Sequence, residues 1–143
     1  MPTRNATANW SGGLKGGKGK LTTQSGALKD LGYDFKSRFE EGPLTNPEEL
    51  IGAAHAGCYA MFLSSLLEKN ETPASNLEVK ADVTLTPGEA GPTITKIVLN
   101  LVGTVPNVSK DKFEELAKEA KAKCPVSKAL SAVPSVELKI TLA

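Results

Sequence analysis

A chain of 143 residues, 40% apolar and 23% charged, can bury the core of one soluble domain. Its net charge of +1 gives no broad field for nucleic acid, and aromatics at 5% leave few stacking platforms, which argues against a nucleic-acid binder. Two cysteines are too few for a secreted disulfide scaffold.

In chain order, "TANWSG" and "GKLTTQS" read as short strands separated by "GGLKGGKGK". That loop lacks the Walker spacing and a following helix, so a hairpin connection fits better than a phosphate cradle. "YDFKSRF" reads as an extended piece bracketed by turn signals at Gly32 and "EEGPLTNP". "TNPEEL" announces a helix, with Asn46 as N-cap, Pro47 at the first helical position and Glu49 completing a capping box. Glu48 and Glu49 face the positive end of its dipole, and the helix runs to about Lys69.

Leu77, Val79, Ala81, Val83 and Leu85 alternate with polar residues, as do Ile97, Leu99, Leu101 and Val105 beyond the turn "PGEAGP". This period of two predicts an antiparallel hairpin. Ser109 caps a second helix whose apolar stripe is Phe113, Leu116, Ala117 and Ala120, extended by Cys124. A short helical piece over 125–131 follows, with Pro125 in its first turn, and Val136, Leu138, Ile140 and Leu142 form a last strand. The order predicts a single α+β domain over 1–143, with largely antiparallel sheets packed on helices.

"MPTRNATANW" lacks the apolar segment and cleavage site of a secretory signal. The longest apolar run, near residues 50–67, is broken by His, Gly and Ser and falls short of the roughly 20 residues that cross a bilayer. A cytoplasmic protein without membrane contact is expected. The helix around Cys58 is nonetheless apolar on nearly every side, and one small sheet covers one face only. A homodimer with this helix near the interface is therefore expected.

His55, the one histidine, and Cys58 lie about 60° apart on neighbouring turns of that helix. A Cys–His–Glu acyl-transfer set with Glu48 is conceivable, but seven residues of helix rise about 10 Å, beyond contact. A lone histidine on an apolar helix is more often a hydrogen-bonded core residue. A zinc site from His55, Cys58 and Cys124 lacks paired-ligand spacing. Cys124 sits before Pro125 at a helix start, with Lys121, Lys123 and Lys128 near in sequence, a setting that favours an ionised thiol. Cys58 lies deep in its helix, where burial raises a thiol pKa unless a cation is brought to it. Of 17 Lys and Arg residues only Arg4 and Arg38 are arginine, and Arg38 precedes the acidic helix start, where Glu48 could hold it. On residues alone the two thiols are either inert and buried or a redox couple.

The stretch "RFEEGPLTNPEELIGAAHAGCYAM", then "ITKI", then "AKAKCPVSKAL" resembles the osmotically inducible protein C / organic hydroperoxide resistance (OsmC/Ohr) family over nearly the whole chain. His55 is more similar to the OsmC branch, and Gly57 departs from an expected alanine. The resemblance implies an intertwined α+β homodimer and a thiol peroxidase that reduces organic hydroperoxides in stress defence. It implies Cys58 as peroxidatic thiolate, Cys124 as resolving thiol, Arg38 as activator of Cys58 and Glu48 as the residue orienting Arg38. It further implies no metal or other cofactor, and a dithiol reductant of the lipoyl-protein kind. Leu50, Ile51, Met61 and Phe39 are candidate linings for an apolar substrate pocket.

Overall fold

In the computed structural model, which describes residues 1–143, the Gly/Lys loop closes the expected N-terminal hairpin. β1 (Ala6–Ser11) pairs antiparallel with β2 (Lys18–Thr23), and β2 pairs antiparallel with β3 (Leu31–Tyr33). The chain divides into two compact units, Met1–Leu50 and Ile51–Ala143.

The first unit holds that three-stranded sheet and α1 (Phe35–Phe39). The helix corrects the extended reading of "YDFKSRF". Asp34 caps it, accepting from Ser37 N at 2.9 Å, while Asp34 N donates to Ser37 Oγ at 2.9 Å. This reciprocal box satisfies two backbone donors and outweighs the apolar–polar alternation. Trp10 packs on Tyr33 at 5.5 Å between centroids, with Gly19 so close beneath that any Cβ there would strike both rings. Every residue of β1 is exposed.

α2 (Pro47–Lys69) starts where expected, with Glu49 N donating to Asn46 Oδ1 at 2.8 Å. Glu49 does not close the box onto Asn46; its carboxylate accepts from Thr45 Oγ1 at 2.9 Å instead. At 23 residues, α2 is by length and composition long and apolar enough to cross a bilayer, contrary to the sequence expectation, although Glu48, Glu49, Glu68 and Lys69 add only charged length to its apolar run. Part of that apolarity is used inside the protein: His55, Tyr59, Leu63 and Leu67, spaced by four, are fully buried on one stripe.

In the second unit β4 (Asn76–Thr86) and β5 (Thr93–Thr104) form the expected antiparallel hairpin, with a bulge at Thr84/Leu85. α3 (Lys110–Lys123) and α4 (Pro125–Ala129) follow, and β6 (Ser135–Leu142) returns beside β5 in parallel, so this sheet is mixed. Period-two alternation carries no direction, whereas a helical connection between β5 and β6 permits parallel return. Ile97, Leu99 and Leu101 of β5 meet the α2 stripe and Phe113, Leu116, Ala117 and Ala120 of α3 in one core. Tyr59 donates its hydroxyl to Ala117 O at 2.9 Å, which fixes α2 against α3. Cys124, fully buried, belongs to the same core.

Candidate active site

Each unit presents one of the expected residue pairs. In the first, the Asp34 cap sets the register of α1, and Ser37 N–H together with Lys18 holds the Asp34 carboxyl below the usual carboxylate range. Four residues after that cap, the Arg38 guanidinium lies 5.4 Å from the Phe39 ring centroid and donates to Glu48 Oε1 from Nε at 3.2 Å and Nη2 at 3.1 Å. Glu48 stands in the first turn of α2, where the helix dipole favours a carboxylate, and is 7% exposed. Its second oxygen, Oε2, is buried without a partner.

Arg38 itself is held at one side only, with its side chain 41% exposed. It borders a cavity of about 310 Å³ whose walls include Trp10, Leu14, Tyr33, Phe35 and Phe39. A largely aromatic chamber edged by the Asp34 carboxylate and the permanently charged Arg38 suits a ligand with a hydrocarbon part and a polar end. Of the side chains expected to line a pocket, Phe39 does so; Met61 stands 78% exposed on α2, and Leu50 and Ile51 are half-buried. Trp10 and Phe35 were not among the expected linings.

In the second unit, Cys58 and Cys124 are free thiols brought together from distant parts of the sequence. Burial pushes the Cys58 thiol upward, a backbone hydrogen bond from Val126 opposes this, and the neighbouring Cys124 side chain adds to the rise. The expectation that burial disfavours the Cys58 thiolate therefore holds. Cys124 caps α4, its sulfur accepting from Ser127 N at 3.3 Å. The same sulfur donates to Ser127 Oγ at 3.0 Å.

His55 is a hydrogen-bonded core residue, as expected of a lone histidine. Its Nε2 lies 2.8 Å from Ser127 Oγ, its Nδ1 has no partner, and burial lowers its pKa. The hydrogen-bond partner of the ring is thus Ser127 rather than Cys58, which removes the basis for a direct Cys–His nucleophile. Ser127 was missed in the sequence reading. The signal was present, since a residue three positions after an N-cap is where a side chain returns to the cap.

Residues 40–139 match the family model described as OsmC-like protein. The chain is 45% identical to peroxiredoxin OsmC of Escherichia coli over 93% of both proteins. It is 29% identical to the organic hydroperoxide resistance protein OhrB of Bacillus subtilis over 88% of this chain and 92% of that one. The crystal structure of the same OhrB superposes with a TM-score of 0.65 at 26% identity, covering 97% of this chain and 98% of that one. An organic hydroperoxide resistance protein from Elizabethkingia anophelis, 23% identical, shares the fold with a TM-score of 0.72 over 100% of this chain and 96% of that one.

Proposed function

The chain belongs to the OsmC-like family and is a cysteine-based peroxidase, and we propose that its substrates are organic hydroperoxides, which it reduces to alcohols. Cys58 is the attacking thiolate. Its sulfur displaces the alkoxide from the O–O bond, leaving a sulfenic acid on Cys58 and, after protonation, the alcohol. Arg38 stabilises the thiolate and the developing alkoxide through charge-assisted hydrogen bonds, and Glu48 orients Arg38. Cys124 then condenses with the sulfenic acid to a Cys58–Cys124 disulfide, which protects Cys58 from further oxidation. An external dithiol, of the lipoyl-protein kind, reopens that bond by exchange. The role is detoxification under oxidative or osmotic stress in the cytoplasm, carried out by a single domain over 1–143.

The observation that carries this reading is that Cys58 of α2 packs against the core that holds Cys124, the N-cap of α4, with the two side chains neighbours. The apolar cavity beside Arg38 favours organic hydroperoxides over hydrogen peroxide, which has no hydrocarbon to bury. Working as a homodimer is supported by what this chain leaves bare. β1 is exposed throughout, and Ala53, Ala54, Gly57 and Met61 present an open apolar strip on α2.

Intact mass spectrometry without reductant tests the reading. One equivalent of cumene hydroperoxide should remove two hydrogens and cross-link Cys58 to Cys124. Peroxide left unconsumed with both thiols intact overturns it.

A further inference from the structure

Ser127 touches both the buried imidazole and the thiol of Cys124. Its Oγ is 2.8 Å from His55 Nε2 and 3.0 Å from Cys124 Sγ, and its backbone N–H donates to the same sulfur. A hydroxyl has one proton and two lone pairs, so it can accept from the thiol while donating to the ring, and later reverse both bonds. The sulfur of Cys124 is fully enclosed, so bulk water is no direct acceptor for its proton. The ring beyond Ser127 is equally enclosed, and its second nitrogen is unpartnered.

We propose that Ser127 and His55 form a proton relay that deprotonates Cys124 as its sulfur attacks oxidised Cys58. The inference rests on the assignment of Cys58 as the peroxide-oxidised thiol and Cys124 as its resolving partner. In the step, the Cys124 S–H proton passes to Ser127 Oγ while the Ser127 proton passes to His55 Nε2. The Cys124 sulfur forms the S–S bond, and the S–O bond of the Cys58 sulfenic acid breaks with its electron pair leaving on hydroxide. The proton held by His55 neutralises that hydroxide, and one water leaves. Cys124 sulfur is oxidised and Cys58 sulfur reduced, so the step needs no reactant beyond the peroxide already consumed.

The resting ring is suited to accept. Burial lowers its pKa, so it rests in the neutral form, which has a ring nitrogen lone pair to take a proton. The transferred proton travels with a thiolate forming two bonds away, so the pair stays neutral overall.

Quench-flow of the full-length reduced protein with cumene hydroperoxide, followed by alkylation and mass analysis, separates Cys58 oxidation from disulfide closure. Ser127→Ala and His55→Gln should slow closure about tenfold or more relative to Cys58 oxidation. Ser127→Thr, which keeps the hydroxyl, should restore it. Gln keeps a hydrogen bond to Ser127 but cannot hold an added proton, so a purely positioning role for His55 predicts unchanged closure in that variant. Closure at the wild-type rate in either His55→Gln or Ser127→Ala overturns the relay alone. Failure of the wild type to form a sulfenic acid on Cys58, or a disulfide to Cys124, overturns the underlying assignment as well. Where His55→Gln fails to fold, Ser127→Ala, at a half-buried position, decides the question with Ser127→Thr as its control.

Discussion

Glu48 accepts both hydrogen bonds of Arg38 on one oxygen, Oε1, and keeps its other oxygen buried and bare. The guanidinium is thereby clamped along its Nε–Nη2 edge, which leaves Nη1 outside the pair. Arg38→Ala should slow reduction of cumene hydroperoxide about 100-fold, measured as turnover with a dithiol reductant. It should also lower the stability read from urea unfolding by about 1–3 kcal/mol, because the enclosed Glu48 carboxylate loses its counter-ion. Arg38→Lys should rescue little, since a single ammonium does not reproduce the two-nitrogen edge.

Burial moves the Cys58 pKa above the ordinary thiol value of 9.0, and the proposed role of Arg38 is to oppose that rise. In a Cys124→Ser background, the pH profile of Cys58 alkylation should shift upward on Arg38→Ala. An unchanged profile removes Arg38 from the activation of Cys58. The raised state has a stability consequence of definite sign. It stabilises the fold fully below pH 9.0, and that contribution is lost as pH climbs through the folded-state value.

Cys124→Ser should complete one turnover and then stall. Without the resolving thiol, Cys58 accumulates as sulfenic acid and, with excess peroxide, sulfinic acid. Intact mass after one and several equivalents of peroxide distinguishes the two products by their added oxygens.

His55 gives the fold a response to acid. Burial holds its pKa below 6.5, so the unfolded chain takes up that proton first as pH falls. The stability linked to the neutral ring is intact above pH 6.5 and drains as pH falls toward the folded-state value. Urea midpoints at about pH 7.5 and about pH 5 should show the wild type losing more than His55→Gln between the two conditions.

Gly103 is required by its neighbour. A Cβ there would land on the ring of Phe113, which is fully buried in the core of the second unit. Gly103→Ala should cost about 1–3 kcal/mol in thermal unfolding, and adding Phe113→Leu should recover part of that loss.

The elements most legible in the sequence are those specified by local chemistry. Asn46 before Pro47 marked the start of α2, Ser109 the start of α3, and the alternation from Leu77 to Leu101 the β4–β5 hairpin. α1 was misread because Asp34 and Ser37 cap it inside a stretch whose apolar residues alternate. The direction of β6 was not legible, since Val136, Leu138, Ile140 and Leu142 show the same alternation in either orientation. Arg38 with Glu48 could be paired from the scarcity of arginine and from placement. The meeting of Cys58 with Cys124 was implied by the family resemblance and left open by the residues alone, because it depends on the packing of α2 against the crossover from β5 to β6. That α2 would keep an uncovered face followed from its all-round apolarity, but which residues form it, Ala53, Ala54, Gly57 and Met61, depended on the packing of the stripe opposite.

The parallel return of β6 also bears on the order in which the second unit closes during synthesis. α3 and α4 precede β6, so the segment bearing Cys124 emerges from the ribosome before the strand that closes its far end against β5. Until that distant pairing forms, β5 of the nascent polypeptide has its hairpin partner β4 on one side and an open edge on the other, so this sheet is completed only by the last strand to be made.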